Sequence, residues 1–274
     1  YGWSTPVNNT MTIANYFNHG SECNPDYYSD NGKTPTTYAI NTDVVTYSDL
    51  YNYSANPKKT SKFVSDNRLI KVAVTTSEEL YFAIENGYTP VCTSGSRAET
   101  IYNLAKNAIK SVVSDNMTDF EKALVLFDWI SDNTTYDHSY SSNTSTDNMK
   151  IPSYYLEGVF MKGVAVCDGY SKAFSMMCNM LGLECIRIVG TAGSGSNVGG
   201  HAWNKVKIDG NYYVVDITWA NNPGRGELSN NKEYFTHNYF LTTDAFIAST
   251  HTANANRTKF ANYSTPSTMY NYYS

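Results

Sequence analysis

Charge is scarce in this chain. Of its 274 residues only 16% are Asp, Glu, Lys or Arg, against roughly 25% in ordinary soluble domains. The net charge is -5, so there is no basic excess of the kind that gathers nucleic acid, and no nucleic-acid partner is expected. No apolar run approaches the ~20 residues of a membrane-spanning helix, and no transmembrane segment is expected. No C-x-x-C occurs, which argues against a zinc site or a thioredoxin-like redox pair. H-E-x-x-H and H-x-x-x-H are also missing, so neither a metal nor another cofactor is expected. The stretch 191–200 has the glycine content of a phosphate loop, but it lacks the G-x-G-x-x-G order and the lysine. A strand also follows it where a helix should. It reads as a flexible approach to His201. No convincing internal repeat is found.

What is there instead is neutral and polar. The 24 tyrosines stand beside many Asn, Ser and Thr, a surface chemistry suited to secreted or wall-associated proteins. A secreted or cell-surface location is therefore expected. The first residue is Tyr1, not Met, so the chain reads as a processed or cloned fragment and a missing leader says nothing about location. There are five cysteines: Cys23, Cys92, Cys167, Cys178 and Cys185. Cys178 and Cys185 fall in apolar helix and strand patterns and read as buried thiols. Cys23 with Cys92 is the remaining disulfide candidate.

Organisation sharpens along the chain. Residues 1–65 have little periodicity and read as an N-terminal extension of irregular or short-strand structure, with Asn56-Pro57-Lys58-Lys59 as the boundary signal. Residues 66–274 then form the main domain. A strand is expected at 69–74. Thr76-x-x-Glu79, Ser96-x-x-Glu99 and Thr118-x-x-Glu121 are capping boxes. They open helices running to about Gly87, Val113 and Asp132. In the third, Phe120, Leu124, Phe127 and Ile130 form the expected core stripe. Residues 137–150 read as a surface loop. A further helix runs over 167–181 and closes at Gly182. Strands are expected at 184–189, 201–208 and 211–217. Thr243 or Asp244 caps a last short helix, flanked by His237 and His251. Those two, with His19 and His138 in polar stretches, are weaker candidates than His201.

Three residues stand apart from this frame. Cys167 opens a helix, where unpaired N–H groups and the helix dipole favour an anion. A cysteine so placed, with an imidazolium beside it, can titrate far below the ~8.5 of a free thiol. His201 and Asp216 lie on strands joined by Asp209-Gly210, a strong signal for a two-residue type I′ turn. That turn sets Ile208 opposite Asn211, and counting back brings His201 and Asp216 to one sheet face as diagonal neighbours. A slip of one residue would separate them. Any chain with five cysteines and five histidines offers some Cys-His-Asp combination, and a lone cysteine is ordinarily just buried. A carboxylate between Val215 and Ile217 is less ordinary, because burying it is costly unless it is paired. Convergence of the three would make a thiol nucleophile, a base and an orienting group.

The same residues sit in longer motifs. Gly163-Val-Ala-Val-Cys167-Asp-Gly-Tyr170 with Lys172-Ala-Phe174 comes first, followed by Leu181-Gly-Leu183. Gly200-His-Ala-Trp-Asn204, Asp209-Gly-Asn-Tyr-Tyr213 and Asp216-Ile-Thr-Trp219 follow. Together they resemble the transglutaminase-like superfamily, and most of all its bacterial, secreted members. Upstream, Glu121-Lys-Ala-Leu124, Asp128-Trp129-Ile130 and Tyr136-Asp137 extend the likeness to about residues 69–250. Residues 1–65 have no counterpart. The resemblance implies an α+β, papain-like/transglutaminase-like core in which the Cys-bearing helix packs against an antiparallel sheet. It implies Cys167 as nucleophile, His201 as general base and acid, and Asp216 as orienter. Tyr136 falls where family members keep an aromatic residue that helps hold the oxyanion, and Trp203 and Trp219 read as packing around the site. Calcium dependence is not implied, since no acidic cluster has the spacing of a calcium loop.

The expected activity is acyl transfer or hydrolysis on amide or peptide bonds through a thioester. The partner is a protein or peptide substrate, cell-wall peptide if the protein is surface-bound. Water as acceptor makes a protease or amidase, and an amine makes a crosslinking transglutaminase. The competing reading is a non-catalytic surface module that keeps the fold for binding. A thiol oxidoreductase is a distant third, lacking a resolving cysteine.

Overall fold

The capping boxes set where the helices of the chain begin. In the computed structural model, which describes residues 44–46, 71–139, 151–220, 237–254 and 263–270, two of them close in full. Thr76 and Thr118 each accept the backbone N–H three residues on, while Glu79 and Glu121 reach back to the cap. At the Ser96 box, Glu99 N–H donates to Ser96 Oγ at 3.1 Å. The chain divides into two compact units, residues 1–102 and 103–274. Apart from Val44–Thr46, the expected extension over 1–65 lies outside the described residues.

The first unit holds a three-stranded parallel sheet of β1 (Val44–Thr46), β2 (Lys71–Val74) and β3 (Thr89–Cys92), in that order. Helix α1 (Ser77–Glu85) links β2 to β3 and buries Leu80, Tyr81, Ala83 and Ile84. Strand β3 is absent from the sequence reading. It is short, half-exposed and carries Pro90, which a strand tolerates at a sheet edge because no ladder N–H is required there.

Helix α2 (Arg97–Val112) leads on to the second unit. There α3 (Asp119–Asn133) buries Ala123, Leu126, Phe127, Ile130 and Ser131. The stripe is thus rotated slightly from the expected one, with Phe120 and Leu124 half-buried at its margin. After α3, β4 (Thr135–Tyr136) pairs in parallel with β5 (Val164–Ala165), which delivers the chain into α4 (Cys167–Met180). Helix α4 is buried along most of its length, including Ala173, Phe174, Met176, Met177 and Cys178. It ends as expected at Gly182, whose φ is 81°. The Leu183 and Gly182 N–H groups turn back to the Cys178 and Asn179 carbonyls at 2.9 and 3.1 Å, a Schellman closure.

Helix α4 packs on a four-stranded antiparallel sheet in the order β8-β7-β6-β9. Its strands are β6 (Cys185–Ser194), β7 (Asn197–Ile208), β8 (Asn211–Val215) and β9 (His251–Ala253). Ile208 faces Asn211 across the Asp209-Gly210 turn, and both turn residues have positive φ, 49° and 83°, as type I′ requires. Three strand boundaries differ from the expectation, the end of β6, the start of β7 and the end of β8. The glycine-rich stretch 191–200 is not a loop. It is the outer half of a hairpin in which Gly190 pairs with His201 and Ser194 with Asn197. A Cβ on Gly193 would lie 1.9 Å from the Asn197 carbonyl oxygen, so glycine there reflects close strand pairing, not looseness. Strand β8 stops at Val215, and 217–220 turns into the short helix α5 (Ile217–Ala220). A last helix, α6 (Asp244–Ile247), is capped by Thr243, as expected.

Candidate active site

Cys167 occupies the first helical position of α4, so its N–H is one of the orphan donors every helix start leaves. The thiol is half-buried. Tightly held structure sits behind it. Asp168 is buried and ion-paired to two cations that are also buried: Lys172 one turn on, at 2.8 Å, and Arg187 from β6. Lys172 also donates to the Tyr154 carbonyl at 2.9 Å. An arginine within the apolar run of β6 is the signal that could have located this cluster, since a buried cation needs an anion.

His201 and Asp216 meet. His201 Nε2 lies 2.7 Å from Asp216 Oδ2, with only 8% and 1% of the two side chains exposed. The carboxylate is held at this angle because Asp216 caps α5. Its Oδ1 accepts the Trp219 N–H at 3.1 Å, its carbonyl accepts from Ala220, and capping is a role aspartate fills well. This is also why β8 ends two residues early. The same-face geometry read from the hairpin brings the two side chains together even though the ladder itself closes at Asn204 and Val215.

The Cys167 thiol lies near enough to His201 to act on the charge of its ring. Burial by itself would make His201 harder to protonate. The charge of Asp216 and its hydrogen bond, then the bond and charge of Cys167, outweigh that and push it up to about 10. Burial would likewise raise Asp216, but the charge and hydrogen bond of His201, followed by those of His251, hold its carboxyl well below the usual carboxylate range. The arrangement is a buried carboxylate–imidazolium pair close to the start of the helix that carries Cys167.

Trp203 stacks on the His201 ring at 5.9 Å and Trp219 lies tilted at 6.2 Å. Tyr136 pairs with Ala165, two residues before Cys167, and its ring lies 5.1 Å from His138. Tyr239 closes one side. Its carbonyl accepts the Asp216 N–H at 2.9 Å, and its ring meets Trp219 edge-on at 5.6 Å. The residue sequence reasoning missed is His251, on β9. Its Nε2 lies 2.9 Å from the same Asp216 Oδ2, and none of its side chain is exposed. A three-residue strand, 35 positions beyond Asp216, carries no periodic signal. Among the described residues, His201, Asp216 and His251 have donor atoms within 4.8 Å of one another and could hold a metal ion. Each is already engaged in the hydrogen bonds given above. Cys178 and Cys185 are buried, as expected. Cys23 and His19 lie outside the described residues. His237 bonds Asp128 on α3 at 2.7 Å.

Residues 106–217, which include all three converging residues, match the model of the transglutaminase-like superfamily. Over this stretch the chain is similar to that superfamily. Its fold is α+β, with the Cys-bearing helix on the antiparallel sheet. The chain is 29% identical over 161 residues to the Kyphoscoliosis peptidase of Homo sapiens, covering 54% of this chain and 23% of that protein. It is 28% identical over 160 residues to the Mus musculus protein of the same name, covering 53% and 23%. The chain thus spans under a quarter of the length of these curated relatives. A solved structure of a TGase superposes with a TM-score of 0.41 at 22% identity, over 50% of this chain and 36% of that one. Among the described residues no helix is long and apolar enough to cross a membrane.

Proposed function

We propose that the transglutaminase-like domain is a cysteine-dependent enzyme that attacks amide or peptide bonds of protein or peptide substrates through a thioester on Cys167. The observation that carries this reading is the buried His201–Asp216 pair at 2.7 Å, with Cys167 at a helix start near enough to act on the His201 ring. The thiolate sulfur attacks the carbonyl carbon, and the negative charge moves to the carbonyl oxygen. The Cys167 N–H at the helix start faces that charge, with Tyr136 as a second donor; such donors act most strongly where charge develops in the transition state. His201 gives its proton to the leaving amine, the C–N bond breaks, and the thioester remains. Neutral His201 then takes a proton from the incoming acceptor, which displaces Cys167.

Water as acceptor makes the reaction proteolysis or amide hydrolysis, and a primary amine makes it crosslinking. The name of the curated relatives, peptidase, supports water. The neutral polar composition supports action outside the cell. The test is mass spectrometry of a peptide library incubated with the protein and a primary amine. Chain cleavage marks a hydrolase, and amine incorporation with ammonia release marks a transferase. Both should vanish in Cys167→Ala, and turnover surviving that change would refute the assignment.

A further inference from the structure

Two imidazoles converge on Asp216, and acyl transfer through Cys167 needs only one. His251 Nε2 reaches at 2.9 Å the oxygen that His201 reaches at 2.7 Å. Burying a second ring costs its hydration unless its polar atoms find partners, and here both do. Nδ1 lies 2.8 Å from Thr250 Oγ1, and that hydroxyl also reaches the Ile247 carbonyl at 3.1 Å. The ring is wedged between tryptophans, 4.6 Å from Trp219 and edge-on to Trp203 at 5.2 Å. Its backbone is fixed to the sheet that carries His201, since Ala192 pairs with His251 and Gly190 with His201.

We propose that His251 is a positioning residue for the acyl-transfer site, an inference that rests on the reading of Cys167, His201 and Asp216 given above. It acts through Asp216 and not on the reacting atoms. The Trp219 N–H holds Oδ1 at 3.1 Å. With His201 alone on Oδ2, the carboxylate could rotate about its own bond and lose the imidazole. With His251 on the same oxygen, rotation breaks two buried bonds to a charged group, each stronger than an ordinary hydrogen bond. His251 therefore keeps Asp216 aimed at His201, and His201 aimed at the thiol.

The test uses His251→Gln, His251→Asn and His251→Leu in the full chain, with iodoacetamide labelling of Cys167 at pH 6 and thermal unfolding. Gln places an amide N–H near the position of Nε2. Asn carries one only as far as Nδ1, and Leu supplies volume without a donor. We expect His251→Leu to label about tenfold slower than wild type and His251→Gln to stay within about threefold of it. A residue that only filled space would lower the melting temperature of both variants and leave the labelling rate of the folded fraction unchanged. Equal rates in wild type, Gln and Leu variants, or a faster Leu variant, overturn the inference. If the Leu variant does not fold, Gln against Asn decides, with Asn expected to be the slower. If wild-type Cys167 labels at pH 6 no faster than a free cysteine peptide, the acyl-transfer reading fails by itself. The positioning claim is then judged by NMR of nitrogen-labelled histidine. The His201 Nε2–H proton, deshielded by Asp216, should move upfield in His251→Leu and not in His251→Gln. An unmoved signal overturns the claim.

Discussion

Replacing Asp216 by Asn removes one charge from the centre of the site and little volume. In the wild-type protein the carboxylate accepts three N–H groups: His201 Nε2 at 2.7 Å, His251 Nε2 at 2.9 Å and Trp219 N at 3.1 Å. The amide keeps one acceptor oxygen and sets an NH₂ group among donors. His201 then stays buried without the anion that pushed it up to about 10. Breaking a buried ion pair from one side costs about 3–5 kcal/mol. At ~1.4 kcal/mol per factor of ten, a loss of that size should slow the reaction of Cys167 about 10²- to 4 × 10³-fold. The assay is the rate of iodoacetamide labelling of Cys167 at pH 6, beside amide turnover. A loss of less than about tenfold in both would refute the argument that Asp216 powers the site.

The same pair fixes how stability depends on pH. Folded His201 keeps its proton up to about 10, against 6.5 for an ordinary histidine. Its contribution is therefore complete below 6.5 and fades as pH rises toward 10. Folded Asp216 titrates well below the ordinary 3.8, so its contribution is complete above about 4 and is lost as pH falls through the folded value. The stability gap between wild type and Asp216→Asn should be widest between these limits and narrow on both sides. A gap that grows from pH 7 to 10 would contradict the charge assignment.

Two further changes probe the scaffold. Gly190→Ala puts a Cβ 2.1 Å from the Thr252 carbonyl oxygen and 2.9 Å from the Trp203 ring. It should loosen β9 and cost about 3 kcal/mol or more in urea unfolding, with slower Cys167 labelling because His251 moves; an unchanged midpoint would show that β9 is not held there. Arg187→Met strips one of two cations from buried Asp168. It should cost roughly 3 kcal/mol, at the low end for a broken buried pair since Lys172 remains. A cost below about 0.5 kcal/mol would mean the cluster does not anchor α4 to β6.

What the sequence made legible was local and periodic. Capping boxes marked where helices start, Gly182 marked where α4 stops, and one Asp-Gly turn set the register that puts His201 and Asp216 on the same face. These follow from backbone hydrogen bonding and handedness within a few residues. What stayed hidden depends on tertiary context. The glycines of 191–200 looked like slack, yet at Gly193, as at Gly190 just before them, they answer to crowding by other strands. Asp216 read as a strand residue because Val215 and Ile217 flank it, but its capping hydrogen bond turns the chain into α5. Arg187 had a detectable signal, a cation in an apolar strand, whose partner Asp168 lies next to the thiol. His251 had none: a polar residue in a three-residue strand gains meaning only when the sheet brings it to Asp216.

The proposed chemistry requires an acyl group to pass through Cys167. Wild-type protein mixed with an activated amide substrate, quenched in acid within milliseconds to seconds and digested, should yield the Cys167 peptide carrying the acyl mass. That adduct should be released by hydroxylamine and be absent from Cys167→Ala and His201→Ala. Turnover of the same substrate with no adduct on Cys167, or with the adduct on another residue, would contradict it.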